Sequence, residues 1–88
     1  MEVDMPEKKL IGKVTHYFTN IGVAVIQLNG ELREGSKISI EGATTNIQQT
    51  ADSMQINKKP VTVAKKGDSI GLKVIDRVRP GDNVYIIK

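Results

Sequence analysis

The chain has 88 residues, no cysteine and a formal net charge of +3 from 13 basic and 10 acidic residues, which bounds it to one small domain. Such a domain buries only about 60–65% of the surface its open chain exposes. With no disulfide or thiolate zinc site to staple it, it must rest on a well-patterned apolar core. The modest basic excess permits contact with a polyanion without demanding it.

Residues 1–7 are acidic and contain Pro6. They read as a flexible tail preceding one domain over 8–88, with no basic-then-apolar leader. The longest apolar run, residues 21–26, is far short of the roughly 20 residues a membrane-crossing helix needs. A cytoplasmic protein without membrane contact is expected, and the lack of cysteine fits a reducing compartment.

Strand formers dominate residues 10–18, and Phe18 reads as core. Residues 19–22 break that strand. Residues 23–28 form a second, nearly continuous apolar one, which suggests cover on both faces or an end packed by its neighbours. Asn29-Gly30 signals a turn, because both residues tolerate positive φ, and Leu32 in the following loop should tuck onto the core. Residues 37–41 alternate: Ile38 and Ile40 point inward, Lys37, Ser39 and Glu41 outward. Gly42 ends this strand.

In residues 44–56, Ile47 has odd parity whereas Met54 and Ile56 have even parity. A straight strand cannot bury all three, so a bulge or bend is expected near residues 51–53. Residues 57–60 read as a turn, and Val61 and Val63 lead a short element. Ile70, Leu72 and Val74 share one face, as do Val84 and Ile86; these form the last two core strands. The spacing of these short strands predicts an all-β fold, a closed six-stranded barrel rather than a sandwich with open edges.

One phrase recurs: "REGS" at 33–36, "KKGD" at 65–68 and "RPGD" at 79–82, each followed by a strand. A basic residue, a spacer, a glycine and a small polar residue describe a tight turn. In the last copy Pro80 pre-sets φ and Gly81 accepts the positive φ of a type II turn. Ser36, Asp68 and Asp82 are placed to bond the turn backbone. Three corners of one small fold, bent at Gly35, Gly67 and Gly81, use the same solution.

Chemistry is sparse. One histidine, His16, and scattered carboxylates at Asp52, Asp68, Asp76 and Asp82 supply neither a catalytic group nor a metal cluster. No cofactor is implied. "GELREGSK" (30–37) approximates a P-loop, but its lysine falls one place late and the segment joins two strands instead of opening a helix. "DSIG" (68–71) and "NKKP" (57–60) are fragments of GTPase motifs out of context, so nucleotide binding is not expected. The basic residues Lys58, Lys59, Lys65, Lys66, Arg77 and Arg79 lie near turns and are candidates for phosphate contact if those turns share one rim.

The phrases "GELREGSKISIEG", "DSMQINKKPVTVAKKGDSIGLKV" and "RVRPGDNVYII" resemble domain II of the translational GTPases. That family includes elongation factor Tu, its archaeal and eukaryal counterpart and the selenocysteine-specific factor. Gly30, Leu32, Gly35, the Ser53-Met54-Gln55 segment, Pro60, Val61, the Gly67 to Leu72 phrase and the Arg79 to Asp82 turn carry the resemblance. It implies a six-stranded Greek-key β-barrel that touches ribosomal or transfer RNA, here free-standing like the archaeal elongation factor-like proteins. The expected function is thus a non-enzymatic, translation-associated module contacting RNA through the six basic residues. The alternative is an adaptor that binds a larger translation factor or enzyme without touching RNA.

Overall fold

Alternating and β-branched residues fold into strands throughout residues 8–87, the part described by the computed structural model. In chain order these are β1 Lys8–Phe18, β2 Val23–Leu28, β3 Leu32–Arg33, β4 Lys37–Glu41, β5 Asn46–Thr50, β6 Met54–Ile56, β7 Lys59–Val61, β8 Val63–Ala64, β9 Ser69–Lys73 and β10 Asn83–Ile87. Among the described residues there is no helix, so none is present that could cross a membrane. The expected tail, 1–7, lies outside the described residues.

Eight strands form one antiparallel sheet in the order β5-β4-β10-β1-β2-β9-β6-β7, and β3 pairs with β8 separately. β5 and β6 are two halves of one bent strand: β5 runs along β4, and β6 runs between β9 and β7. The bend falls at residues 51–53, where the side-chain parity changes. Ala51 and Met54 are both buried because the bend re-aims the chain between them. The sheet therefore curls until its ends share a polypeptide, although no ladder of hydrogen bonds completes the circuit among the described residues. The unbroken closure expected from sequence is not seen. Instead the Gln49 side chain spans the seam. Its amide nitrogen donates to the Lys73 carbonyl at 2.9 Å, and its oxygen accepts from the Ile75 N–H at 2.9 Å.

The recurring glycine phrase forms the same structure three times. Residues 33–36, 65–68 and 79–82 each close a four-residue turn, with Ser36, Asp68 and Asp82 N–H donating to the carbonyls of Arg33, Lys65 and Arg79. Gly35, Gly67 and Gly81 hold φ of 91°, 95° and 96°, the positive value a type II turn needs at that position. Each turn then grips one residue of another segment. Gly35 N–H donates to Ala51 O at 2.7 Å while Ala51 N–H donates to Ser36 O at 2.8 Å. Gly67 and Asp68 hold Leu28 in the same way, and Gly81 and Asp82 hold Val14. Two residues oppose one, so each corner is a glycine bulge. Asp68 and Asp82 also accept from Lys65 and Arg79 N–H at 2.9 Å; Ser36 makes no such side-chain bond among the described residues.

The gripped residues lead straight into the core. Val14, Ile26, Leu28, Leu32, Ile38, Ile40, Ala51, Met54, Ile70, Leu72, Val78 and Val84 are essentially inaccessible, and Ile47, Ile56 and Ile86 pack at its margin. Burying each Ile, Leu or Val contributes about 1.5–3 kcal/mol. β1 carries two register shifts, at Leu10/Gly12 against β10 and at Val14/His16 against β2, which let one long strand bend around this core. Gly12 lies at the first: a methyl there would come 2.9 Å from both Gln27 O and Ile26 Cγ2.

Several local expectations are corrected. Phe18 is 46% exposed, because the second shift in β1 turns it outward. Ser39 faces away from the core yet is fully covered, lying between its cross-strand neighbours Tyr85 and Gln48. Asn29-Gly30 does not adopt positive φ; Asn57 and Lys58 do, at 53° and 66°. With Ile56 paired to Lys59, these two make a two-residue type I′ hairpin. Lys59 and Pro60 consequently belong to strand β7 and not to the turn.

Across β10, Lys8 Nζ meets Glu41 Oε2 at 2.6 Å, and the Ser39 hydroxyl donates to the same oxygen at 2.7 Å. The Lys8 hydrogen bond foremost, then that from Ser39, holds the Glu41 carboxyl below its usual range. A depressed carboxylate stabilises the fold above the unfolded pKa and loses that contribution as pH falls through the folded value. Lys8→Ala should therefore raise the Glu41 pKa, read by NMR titration. It should cost less than about 1 kcal/mol near neutrality, a difference that vanishes in acid. Gly67→Ala and Gly81→Ala should each cost about 1–2 kcal/mol by chemical denaturation. Nothing lies within 4 Å of the added methyl at either site, so the loss would be conformational alone, and Gly81→Asn should lose less than Gly81→Ala.

Candidate functional site

The outward face of β2 is apolar. Val23 and Val25 point away from the core on the opposite face from Ala24, Ile26 and Leu28, and both are half-buried. Pairing sets their neighbours: Phe18, Val23 and Lys73 form one cross-strand row, and His16, Val25, Gly71, Gln55 and Pro60 the next. Gly71 has no side chain and so leaves a depression at the centre of the second row. A methyl there would come 3.3 Å from Val23 Cγ1.

Two turns wall this depression. Ile21, 62% exposed, projects from the turn after β1, where Gly22 adopts φ of 65° and its N–H returns to Phe18 O at 2.9 Å. Opposite stands the type I′ turn of Asn57 and Lys58. The resulting open cleft has a volume of about 530 Å³, with Phe18, Ile21, Val23 and Val25 supplying its apolar surface and Gln55 and Lys58 part of its rim. The His16 ring leans on Phe18, centroids 4.5 Å apart and planes at 54°. No carboxylate lines the cleft. It can accept apolar side chains beside a cation. Its polar lining includes the Lys58 amine and the Ser69 hydroxyl, the latter donating to Gln27 Oε1 at 2.7 Å, and no group of three metal-ligating side chains occurs among the described residues.

The six basic residues marked from sequence are spread over separate turns. Lys58 and Lys59 belong to the β6–β7 hairpin. Lys65 and Lys66 lie on the turn gripping Leu28 in β2. Arg77 and Arg79 precede or begin the turn gripping Val14 in β1. Of the six, only Lys58 lines the cleft. The residues that sequence reading missed are Phe18, Ile21, Val23, Val25 and Gly71. Their signal is the unbroken apolarity of β2, whose outward face, Val23 and Val25, is only half covered.

No protein-family model matches the chain. It is 43% identical over 79 residues, 89% of its length, to a protein of Methanocaldococcus jannaschii named as an uncharacterized protease. It is 37% identical over 81 residues to a protein of Porphyromonas gingivalis named collagenase. The chain spans about a fifth of the length of these relatives, 19% and 22% respectively. Two crystal structures of the C-terminal domain of a Geobacillus thermoleovorans "putative U32 peptidase" superpose with TM-scores of 0.82 at 19% identity. One alignment covers 86% of this chain and 96% of that domain, the other 88% and 90%.

These findings overturn the likeness to domain II of the translational GTPases and with it the translation-associated, RNA-contacting role. The most regular of the shared phrases, around Gly35, Gly67 and Gly81, are glycine turns, which encode a way of bending strands and carry no information about ligand. The expectation of a non-enzymatic chain conflicts with the protease names its relatives bear, although the chain spans only about a fifth of their length. The exposed position of Phe18 sets a further expectation. Phe18→Ala should change stability by less than about 1 kcal/mol, whereas Ile26→Ala, wholly buried beneath the same face, should cost about 2–5 kcal/mol in denaturant titration.

Proposed function

We propose that this chain is a peptidase-associated β-domain, the counterpart of the C-terminal domain of U32 peptidases, and that it docks on peptidase polypeptide without supplying catalytic groups. The observation that carries this reading is the 43% identity over nearly the whole chain to a protein named as a protease. The fold match to an isolated peptidase C-terminal domain supports it. Roughly four-fifths of each relative lies outside the matched region, which is ample for a separate catalytic unit. In this reading residues 8–88 form one domain, and the bent strand over 46–56 completes a six-stranded Greek-key barrel by joining β4 to β9.

The cleft over Gly71 is the docking surface in this account. Exposed Phe18 and Ile21 are large apolar side chains beside half-covered Val23 and Val25, and an aromatic anchor flanked by aliphatics is the composition of an interface centre. The occupant is the polypeptide that makes up the rest of such peptidases. The purified chain alone should release no peptides from gelatin. It should bind the Methanocaldococcus jannaschii relative from which the matched fifth has been removed, and a Phe18→Ser, Ile21→Ser double variant should weaken that binding at least tenfold while remaining folded. Gelatin cleavage by the chain alone, or binding untouched by the double variant, would overturn the reading.

A further inference from the structure

The two outer strands of the eight-stranded sheet differ in a way that sequence alone does not show. At β7 the free edge is blunted. Ile56 and Lys59 flank the two-residue turn and bond each other, so the backbone of Pro60 faces outward, and proline has no N–H to offer. At β5 the edge away from β4 has no backbone ladder, and among the described residues the Gln49 side chain alone crosses from it, to Lys73 O and Ile75 N–H. Gly42 N–H donates to Thr45 O, and Ala51 N–H donates to Ser36 O. Strand alternation between these two anchors turns the backbone groups of residues 45, 47, 49 and 51 toward β4. The N–H and C=O of Asn46, Gln48 and Thr50 therefore face away from it. Among the described residues no backbone partner meets them; only the Gln49 side-chain amide approaches Thr50 O, at 3.5 Å.

Space and charge accompany this edge. One open cleft of about 280 Å³ is lined by Lys37, Gln48, Gln49, Thr50 and Ile87, and a second of about 430 Å³ by Gln49, Thr50, Asp52, Lys73, Val74 and Ile75. Gln49 and Thr50 of β5 line both. Lys37 and Lys73 stand one in each cleft, and neither has a carboxylate within ion-pair distance among the described residues. Asp52 is the one acidic group on either lining. Ile75, 73% exposed, offers an apolar contact beside Lys73.

We propose that β5 is a docking edge for an extended acidic peptide, which adds to the sheet as a further strand. Unpaired N–H and C=O groups repeating at every second residue are complementary to another extended backbone, and main-chain pairing of this kind supplies affinity without a deep cavity. Lys37 and Lys73 select for carboxylate side chains on the incoming strand. The edge has this capacity whether or not the chain works beside a peptidase, and it uses none of the residues of the cleft over Gly71.

The test is amide hydrogen exchange, resolved by NMR on the full chain, with and without a capped peptide of about eight residues alternating threonine and glutamate. Exchange at Asn46, Gln48 and Thr50 should slow at least tenfold on adding peptide, with Ile47 and Gln49 unchanged, and added salt should weaken the effect. Methylating the peptide nitrogens that face β5 should abolish binding, whereas methylating those on the other side should not. Gln48→Pro removes one outward donor and no ladder bond, and should weaken binding at least tenfold. Perturbation confined to Phe18, Ile21 and Val25, protection without alternation, or no change at millimolar peptide would overturn the proposal. So would protection of the same three amides that rises with protein concentration in the absence of peptide, which would show two copies pairing through β5.

Discussion

Three corners of this fold are fixed by one arrangement: a glycine at positive φ and the residue after it clasp both backbone groups of a single residue on a neighbouring segment. Ala51, Leu28 and Val14, the residues clasped, are buried. Their N–H and C=O would otherwise face a costly loss of water with nothing in return. The turn thus satisfies the backbone where the core is driest, while its own outer side stays in solvent. An 88-residue chain without disulfides has little margin for frayed corners, and the same device secures three of them.

The triplicate phrase, its glycine conformations and the turn bonding of Asp68 and Asp82 were legible because a residue's φ preference is a local property. Parity gave the bend at residues 51–53 for a similar reason: alternation is strict within a strand, so a change of phase must have a structural cause. Legibility failed where the answer depended on a neighbour. Ser39 alternates as an outward residue and is nonetheless covered by Tyr85 and Gln48, which arrive from distant segments. Phe18 was misplaced because the register shift at Val14/His16 exists only in the pairing of β1 with β2. β2 itself reads as covered on both faces or packed at one end, and only the assembled sheet shows that its outer neighbour Gly71 leaves Val23 and Val25 half open.

Function was less legible than fold for the same reason. Three of the phrases that resembled a translational GTPase domain are the clasps, which serve the architecture. The two surfaces proposed to bind are built from residues that carry no motif: an apolar face floored by a glycine, and an edge of Asn46, Gln48 and Thr50 whose main chain has no ladder partner. Both depend on the clasps. The turn at Gly67 precedes β9 and so sets where Gly71 falls, and the turn at Gly35 grips Ala51, the residue just after β5.

Native-state hydrogen exchange at the amides of Val14, Leu28 and Ala51 tests that dependence most directly. If the clasps are integral to the core, all three exchange only through global unfolding, with the same opening free energy and denaturant dependence as Ile26 and Ile70. If any of the three opens by local fluctuation with little denaturant dependence, as loop amides do, the glycine corners are ornaments on a sheet held together elsewhere.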